Sequence, residues 1–243
     1  MSRSEEGQII CRTFKEGRWD VITIQFAPRL YHWFIRPKWL TKKYIHNHIQ
    51  SHFQTDGHIV LDFGSGTGAN CSMFEPKSYL GIDPDAKRIA YAKRLYPEYT
   101  FQVFNNDKLP FEDQTVDYIF IIAVLHHIPT ADIARYLQEF QRVLKPTGTI
   151  VVMEPCLCKE KPVCNWFMNW YDKGDYIRNE EEYLRLFQDY DSTILQRFRK
   201  CFLYHELFFS AKPKRSMPDQ LVTTLLPETG PTLQPIVPGE LWS

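Results

Sequence analysis

From residue 59 to 154 the chain alternates between short apolar runs and stretches whose apolar residues recur at helical spacing. The runs Ile59–Phe63, Ser78–Ile82, Thr100–Phe104, Asp117–Ala123 and Gly148–Met153 have the length and continuity of buried strands. Asp85–Leu95 and Ala131–Leu144 have helical spacing, and a further helix is expected from about Ala69. Near-continuous apolar strands separated by helices imply βαβ units in a parallel sheet covered on both faces. Two later runs, Ser192–Arg199 and Leu203–Ala211, read as an antiparallel pair that closes the sheet. The expected fold class is α/β: a doubly wound, mostly parallel seven-stranded sheet, last strand antiparallel, with helices on both faces.

The pattern breaks in four places. Residues 1–18 are polar and read as a flexible lead-in. Residues 19–53 mix aromatic, basic and His positions; Pro28 and Pro37 would divide them into short helices forming an N-terminal cover. Residues 156–190 lose the strand period and read as a helical insertion on the acceptor side of the sheet, turning at Asp172–Asp175. Residues 212–243 carry repeated prolines and few apolar positions, as expected of a disordered tail. One domain, 19–211, is therefore expected between the lead-in and the tail.

Composition narrows the function classes. Lys+Arg and Asp+Glu balance at 29 each, so no global field favours nucleic acid or an anionic membrane. No apolar run approaches the length of a membrane helix, and Met1–Gln8 lacks the apolar stretch of a signal peptide. Six scattered cysteines without an export signal are expected to be reduced thiols of a cytoplasmic protein. Cys156, Cys158 and Cys164 lack the paired spacing of a zinc site, and no metal is expected.

The chemistry concentrates where the first apolar run ends. Asp62 and the glycines Gly64, Gly66 and Gly68 follow it. Glycine there lets the backbone turn left-handed and lets a ligand come close, and the amides opening a helix would attract polar groups. Asp83 ends the second strand, about twenty residues on, where an acid can accept both ribose hydroxyls of an adenosine. Gly64-x-Gly66-x-x-Ala69 also satisfies a dinucleotide fingerprint. Loop and acid together suit NAD and S-adenosyl-L-methionine (SAM) equally.

The residues downstream separate the two. Leu61-Asp-Phe-Gly-Ser-Gly-Thr-Gly68, Gly81-Ile-Asp-Pro84, Leu109-Pro-Phe111 with Val116-Asp-Tyr118, Val124-Leu-His-His-Ile-Pro129 and Arg142-Val-Leu-Lys-Pro-Thr-Gly148 stand in an order that resembles the class I SAM-dependent methyltransferases, Rossmann-like enzymes, and specifically the ubiquinone/menaquinone-biosynthesis type. The resemblance spans residues 58–154 and extends more weakly to about 211.

It implies where SAM would lie. Gly64, Ser65, Gly66 and Gly68 would pass under the methionine and ribose, Asp62 would hold the loop and the amino end, and Asp83 with Pro84 would take the ribose. The family's adenine-binding acid falls at Asn105 here, with Asn106 and Asp107 following; Ala123 and Val124 would line the methionine side. Metal-dependent relatives carry an acid where Ala123 stands, so no catalytic metal is implied.

Methyl transfer is an in-line displacement in which the protein mainly holds nucleophile and methyl together. An oxygen nucleophile also needs a proton acceptor. His127, just past the fourth strand, fits that role, and Glu154, ending the fifth strand, is a second candidate base. The acceptor side would be walled by the cover and the insertion, with Tyr31, His126, Tyr176 and Arg178 as binding candidates. The expected function is SAM-dependent methylation of an oxygen, nitrogen or carbon of a small metabolite, releasing S-adenosylhomocysteine. An NAD-dependent oxidoreductase and a non-catalytic SAM-binding regulatory module are the alternatives. No nucleic acid and no stable membrane insertion are expected; oligomeric state is not legible.

Overall fold

A computed structural model describes residues 8–15, 18–25, 41–105, 108–171, 175–200 and 204–214. Two compact units divide the chain, Met1–Pro213 and Lys214–Ser243; of the second, only Lys214 is described. The expected tail otherwise lies outside the described residues, as do the Asp172–Gly174 part of the turn, Tyr31, Asn106 and Asp107.

A sheet in the order β5-β4-β3-β6-β7-β10-β9 forms the body of the first unit. Its strands are β3 (Val60–Phe63), β4 (Tyr79–Asp83), β5 (Thr100–Val103), β6 (Val116–Ile122), β7 (Leu144–Leu157), β9 (Tyr190–Lys200) and β10 (Tyr204–Pro213). A short β8 (Arg178–Asn179) pairs with β7, so the sheet has eight strands rather than seven. β3 runs parallel to β4 and β6, with Asp62 opposite Gly81 on one side and Phe120 on the other. β10 is antiparallel to both β7 and β9, as the hairpin reading expected.

Alternation along the strands feeds two cores. Leu61, Phe63, Ile119, Ile121, Ile150 and Val152 pack on one face with α3 (Thr130–Val143), which contributes Ile133, Leu137, Phe140 and Val143. Val60, Phe120, Ile122, Val151 and Met153 pack on the other with Ile89 and Ala92 of α2 (Ala86–Leu95). Successive strand residues point to opposite faces, so a strand buried on both sides is apolar throughout. That is the origin of the unbroken runs. Asp85 caps α2 by accepting from the amides of Lys87 and Arg88, with Pro84 just before the cap.

Three local expectations give way. The helix expected from Ala69 is a single 3-10 turn, Cys71–Met73. Gly64, Gly66 and Gly68 all have positive φ, at 77°, 54° and 77°, and Pro76 follows closely, leaving no room for a helix between β3 and β4. The strand expected from Gly148 begins directly after α3 at Leu144, with a register irregularity against β6 between Val116 and Tyr118. The lead-in and the start of the cover form a hairpin, β1 (Gln8–Lys15) and β2 (Arg18–Gln25), in register from Lys15 opposite Arg18. The β-branched residues Val21, Ile22, Thr23 and Ile24 account for the strand. A π-helical turn, Lys42–His46, runs into α1 (Asn47–Gln50), burying Ile45 and Ile49 one turn apart. The insertion is helical, comprising α4 (Pro162–Tyr171) and α5 (Glu180–Leu186), the latter capped by a reciprocal Asn179–Glu182 box.

Candidate SAM site and acceptor loop

The strand order makes β3 and β6 neighbours whose connections leave in opposite directions. In an open α/β sheet the crevice at the carboxyl ends of such strands receives the ligand. Four features meet there: the Gly64–Gly68 loop, Asp83 at the end of β4, Ala123 just past β6, and Phe104–Asn105 just past β5.

The loop is held by its own amides. Gly64 and Ser65 donate to the Ile82 carbonyl at 2.8 and 2.9 Å, and Gly68 donates to the Ser65 carbonyl at 2.9 Å. Gly66 donates to Asp83 Oδ2 at 2.9 Å, and Asp85 donates to Asp83 Oδ1 at 2.9 Å. The cradle therefore works by shape and by the Asp83 carboxylate, not by a helix N-terminus. Burial raises the Asp83 pKa, offset in part by the Asp85 and Gly66 amides. Hydrogen bonds from ligand hydroxyls would relieve that desolvation. A Cβ on Gly66 would meet only Asp83 Oδ2, at 4.0 Å, so the space above the loop is open. At Gly64 a Cβ would fall 2.5 Å from Val124 Cγ2, so glycine is what lets the β6 side close on the loop.

Asp62 is buried, and its Oδ2 accepts from the Tyr79 hydroxyl at 2.8 Å. That phenol, buried beside a carboxylate, is held well above its ordinary pKa. Two further loop atoms, Ser65 Oγ and Asn70 Oδ1, are buried without a partner among the described residues. Open space over Gly66, an acceptor at Asp83 and unpaired polar atoms in the loop fit a polar nucleoside cofactor such as SAM. Asn105 is exposed at the mouth of the crevice, where Phe104 N bonds the Asp83 carbonyl at 3.1 Å.

Ala123 has φ 56°, a left-handed conformation that a residue with a Cβ seldom adopts. Strain of this kind persists where the surroundings over-determine it, and here they do. The Ala123 amide bonds the Met153 carbonyl at 2.8 Å, and the next turn, Leu125–His127, is gripped from two sides. Glu154 grips it from β7: Oε1 accepts from the amides of Val124 and Leu125 at 2.7 and 2.8 Å, and Oε2 lies 2.7 Å from His126 Nδ1. Arg178 grips it from β8, donating to the carbonyls of Leu125 and Ile128 at 2.9 Å each and to Thr130 Oγ1 at 3.1 Å.

These contacts correct three sequence-based assignments. Glu154 is wholly buried and its oxygens are spent on the turn, so it is an anchor rather than a base. Arg178 is 7% exposed and committed to three carbonyls and a hydroxyl, so it cannot also pair a substrate anion. His126 is 2% exposed with Nδ1 on Glu154, out of an acceptor's reach. His127, stacked beside it at 4.0 Å between ring centroids, is exposed, as is Tyr176, whose amide bonds the His126 carbonyl.

A second latch escaped the sequence reading. Glu139 Oε2 accepts from Leu109 N at 2.9 Å, while Arg142 donates to the carbonyls of Leu109 and Phe111 at 3.2 and 3.0 Å. The Leu-Pro-Phe turn beside Asn105 is thus fixed from α3. Glu139 and Arg142 lie one helical turn apart, the only signal the sequence offered.

Residues 61–152 match the family model described as a methyltransferase domain. A demethylmenaquinone methyltransferase of Chlorobaculum parvum is 30% identical over 101 residues, 40% of this chain and 41% of that one. A probable tRNA methyltransferase 9B of Mus musculus is 34% identical over 100 residues, covering 41% and 22%. The chain thus spans about two fifths or less of the length of these curated relatives. Among solved structures, a SAM-dependent methyltransferase from Methanosarcina mazei has TM-score 0.53 at 20% identity, covering 68% of this chain and 96% of that one. At that identity the likeness is one of fold. The glycine loop and Asp83 both fall within the segment that matches the methyltransferase domain model; in fold the chain is similar to SAM-dependent methyltransferases, and in sequence it resembles a quinone-biosynthesis enzyme among others.

Proposed function

We propose that the protein moves a methyl group from SAM to an oxygen, nitrogen or carbon nucleophile of a small metabolite, releasing S-adenosylhomocysteine. The observation that carries this reading is the convergence of the anchored Asp83 carboxylate, left-handed Ala123 and exposed His127 on one crevice. When bound, SAM supplies the electrophilic methyl. Asp83 accepts the ribose hydroxyls, Val124 packs against Gly64 on the methionine side, and Asn105 is the adenine-side candidate. His127, presented by a turn gripped from both sides, takes the proton of an O–H or N–H acceptor as the methyl bond forms.

A small acceptor fits the balanced net charge better than a polyanion does. The Chlorobaculum parvum relative is named for a small molecule, the mouse relative for tRNA. The free thiols Cys71, Cys156, Cys158 and Cys164 suit a cytoplasmic setting. Among the described residues no helix is long and apolar enough to cross a membrane.

Titration calorimetry of the full chain with SAM, S-adenosylhomocysteine and NADH tests the cofactor. SAM and S-adenosylhomocysteine are expected to bind and NADH is not; no SAM binding at millimolar concentration would sink the proposal. Release of S-adenosylhomocysteine with candidate acceptors, tRNA among them, then separates the enzyme from a non-catalytic SAM-binding module.

A further inference from the structure

His126 is a buried histidine at a place where packing alone would accept an apolar side chain. It is 2% exposed, and burying an imidazole costs free energy unless its polar atoms are paired. Its Nδ1 lies 2.7 Å from Glu154 Oε2, while Oε1 of the same carboxylate accepts from the Val124 and Leu125 amides. A carboxylate only accepts, so Nδ1 is the donor of that bond.

The main chain of His126 is held by a second element. Its carbonyl accepts from the Tyr176 amide at 3.0 Å. Arg178 donates to the Tyr176 and Leu125 carbonyls at 3.0 and 2.9 Å, tying residues 176–178 to the turn. Ring and backbone of His126 are thus fixed independently, the ring from β7 and the backbone from the segment that ends in β8.

His127 has the contrary environment. It is exposed, and its ring lies on that of His126, with centroids 4.0 Å apart and planes at 43°. An exposed histidine samples three staggered χ1 wells and a broad χ2. Only a fraction of those poses aims a ring nitrogen at an acceptor, and a proton acceptor is effective when its geometry is set beforehand.

We propose that His126 is a positioning residue: its ring, locked by Glu154, is the platform that holds His127 in one orientation for proton transfer. Glu154 then acts on the base at one remove, by fixing the ring on which that base rests.

Two substitutions separate the platform from the hydrogen bond. His126→Asn keeps an N–H donor where Nδ1 stands, since both nitrogens are bonded to Cγ, but deletes the ring. His126→Phe keeps a flat ring and deletes the donor. The χ1 of His127 is read from three-bond couplings in the isotopically labelled full chain, which requires no acceptor. Wild type and His126→Phe are expected to show one His127 rotamer, and His126→Asn the averaged couplings of several. With an O–H acceptor identified by S-adenosylhomocysteine release, kcat of His126→Asn should fall about tenfold, the share of poses lost over χ1 and χ2. KM and S-adenosylhomocysteine affinity should be unchanged, and His126→Phe should retain most of the wild-type kcat.

Thermal unfolding of each variant identifies the folded ones. His126→Phe leaves Glu154 Oε2 without its side-chain donor and should be the less stable of the two. If it does not fold, the comparison of wild type with His126→Asn still decides. A single His127 rotamer in folded His126→Asn, or equal averaging in folded His126→Phe, would overturn the platform. The inference rests on His127 as the base, and full turnover in His127→Ala would overturn that reading whatever the couplings show.

Discussion

Glu154 Oε2 lies 2.7 Å from His126 Nδ1, with both residues buried, and the other oxygen of the same carboxylate holds the Val124 and Leu125 amides. One acid at the end of β7 thereby sets the shape of the turn past β6. Removing it would leave two well-bonded amides and an imidazole buried without their acceptor. Glu154→Ala should cost about 3–5 kcal/mol in chemical denaturation. Glu154→Gln keeps one acceptor for the amides and should cost less, about 1–2 kcal/mol. A stable Glu154→Ala protein with full SAM affinity and no turnover would instead return Glu154 to the role of base.

Arg178 supports the same turn through four hydrogen bonds, the one to the Tyr176 carbonyl included. Arg178→Lys should fail to restore it, because a single ammonium cannot span acceptors that a planar fork reaches. We expect a loss of about 2–3 kcal/mol in stability for Arg178→Lys, read by urea unfolding. Unchanged stability with a raised KM confined to anionic acceptors would mean that Arg178 faces substrate.

His127→Ala should lower kcat about 100-fold or more for an oxygen acceptor while leaving SAM affinity nearly intact. The pH–rate profile should lose its acidic limb in the variant, since a neutral imidazole is what accepts the proton. Full turnover would make His127 a structural residue.

Asp83→Ala removes a ribose acceptor and the anchor of Gly66 N and Asp85 N. Calorimetry should show S-adenosylhomocysteine binding weaker by about 1–3 kcal/mol, with a lower Tm for the ligand-free protein. Unchanged affinity would mean that the ribose lies elsewhere.

Glu139 gives the pH prediction. Its hydrogen bond to Arg142 lowers its folded-state pKa below the ordinary 4.5. A depressed acid stabilises the fold at pH values above the unfolded pKa and loses that contribution as pH falls through the folded pKa. The Tm of the wild-type protein should therefore drop below about pH 4.5, and Glu139→Gln should flatten that drop while lowering the Tm at neutral pH. An equally steep drop in the variant would assign the acid sensitivity to other carboxylates.

Features fixed by neighbouring residues were legible in the chain. Strands buried on both faces show as unbroken apolar runs, so the sheet was legible, as was the pair Tyr190–Lys200 and Tyr204–Pro213 within a few residues. The glycines must stand in the loop they shape, and Asp83 must end the strand beside it, so the loop and its neighbouring acid could be placed from residue types and spacing. Tertiary structure decided what the remaining polar residues do. Glu154 looked like a site residue because it ends a strand, and Arg178 because it stands in the insertion expected to wall the acceptor. Their partners lie 30 and 53 residues away in the chain, at Val124 and Leu125. Whether a buried polar side chain is an anchor or a ligand contact depends on which of its atoms finish paired. Pairing across the sheet is fixed only when the strands and their covering segments have packed.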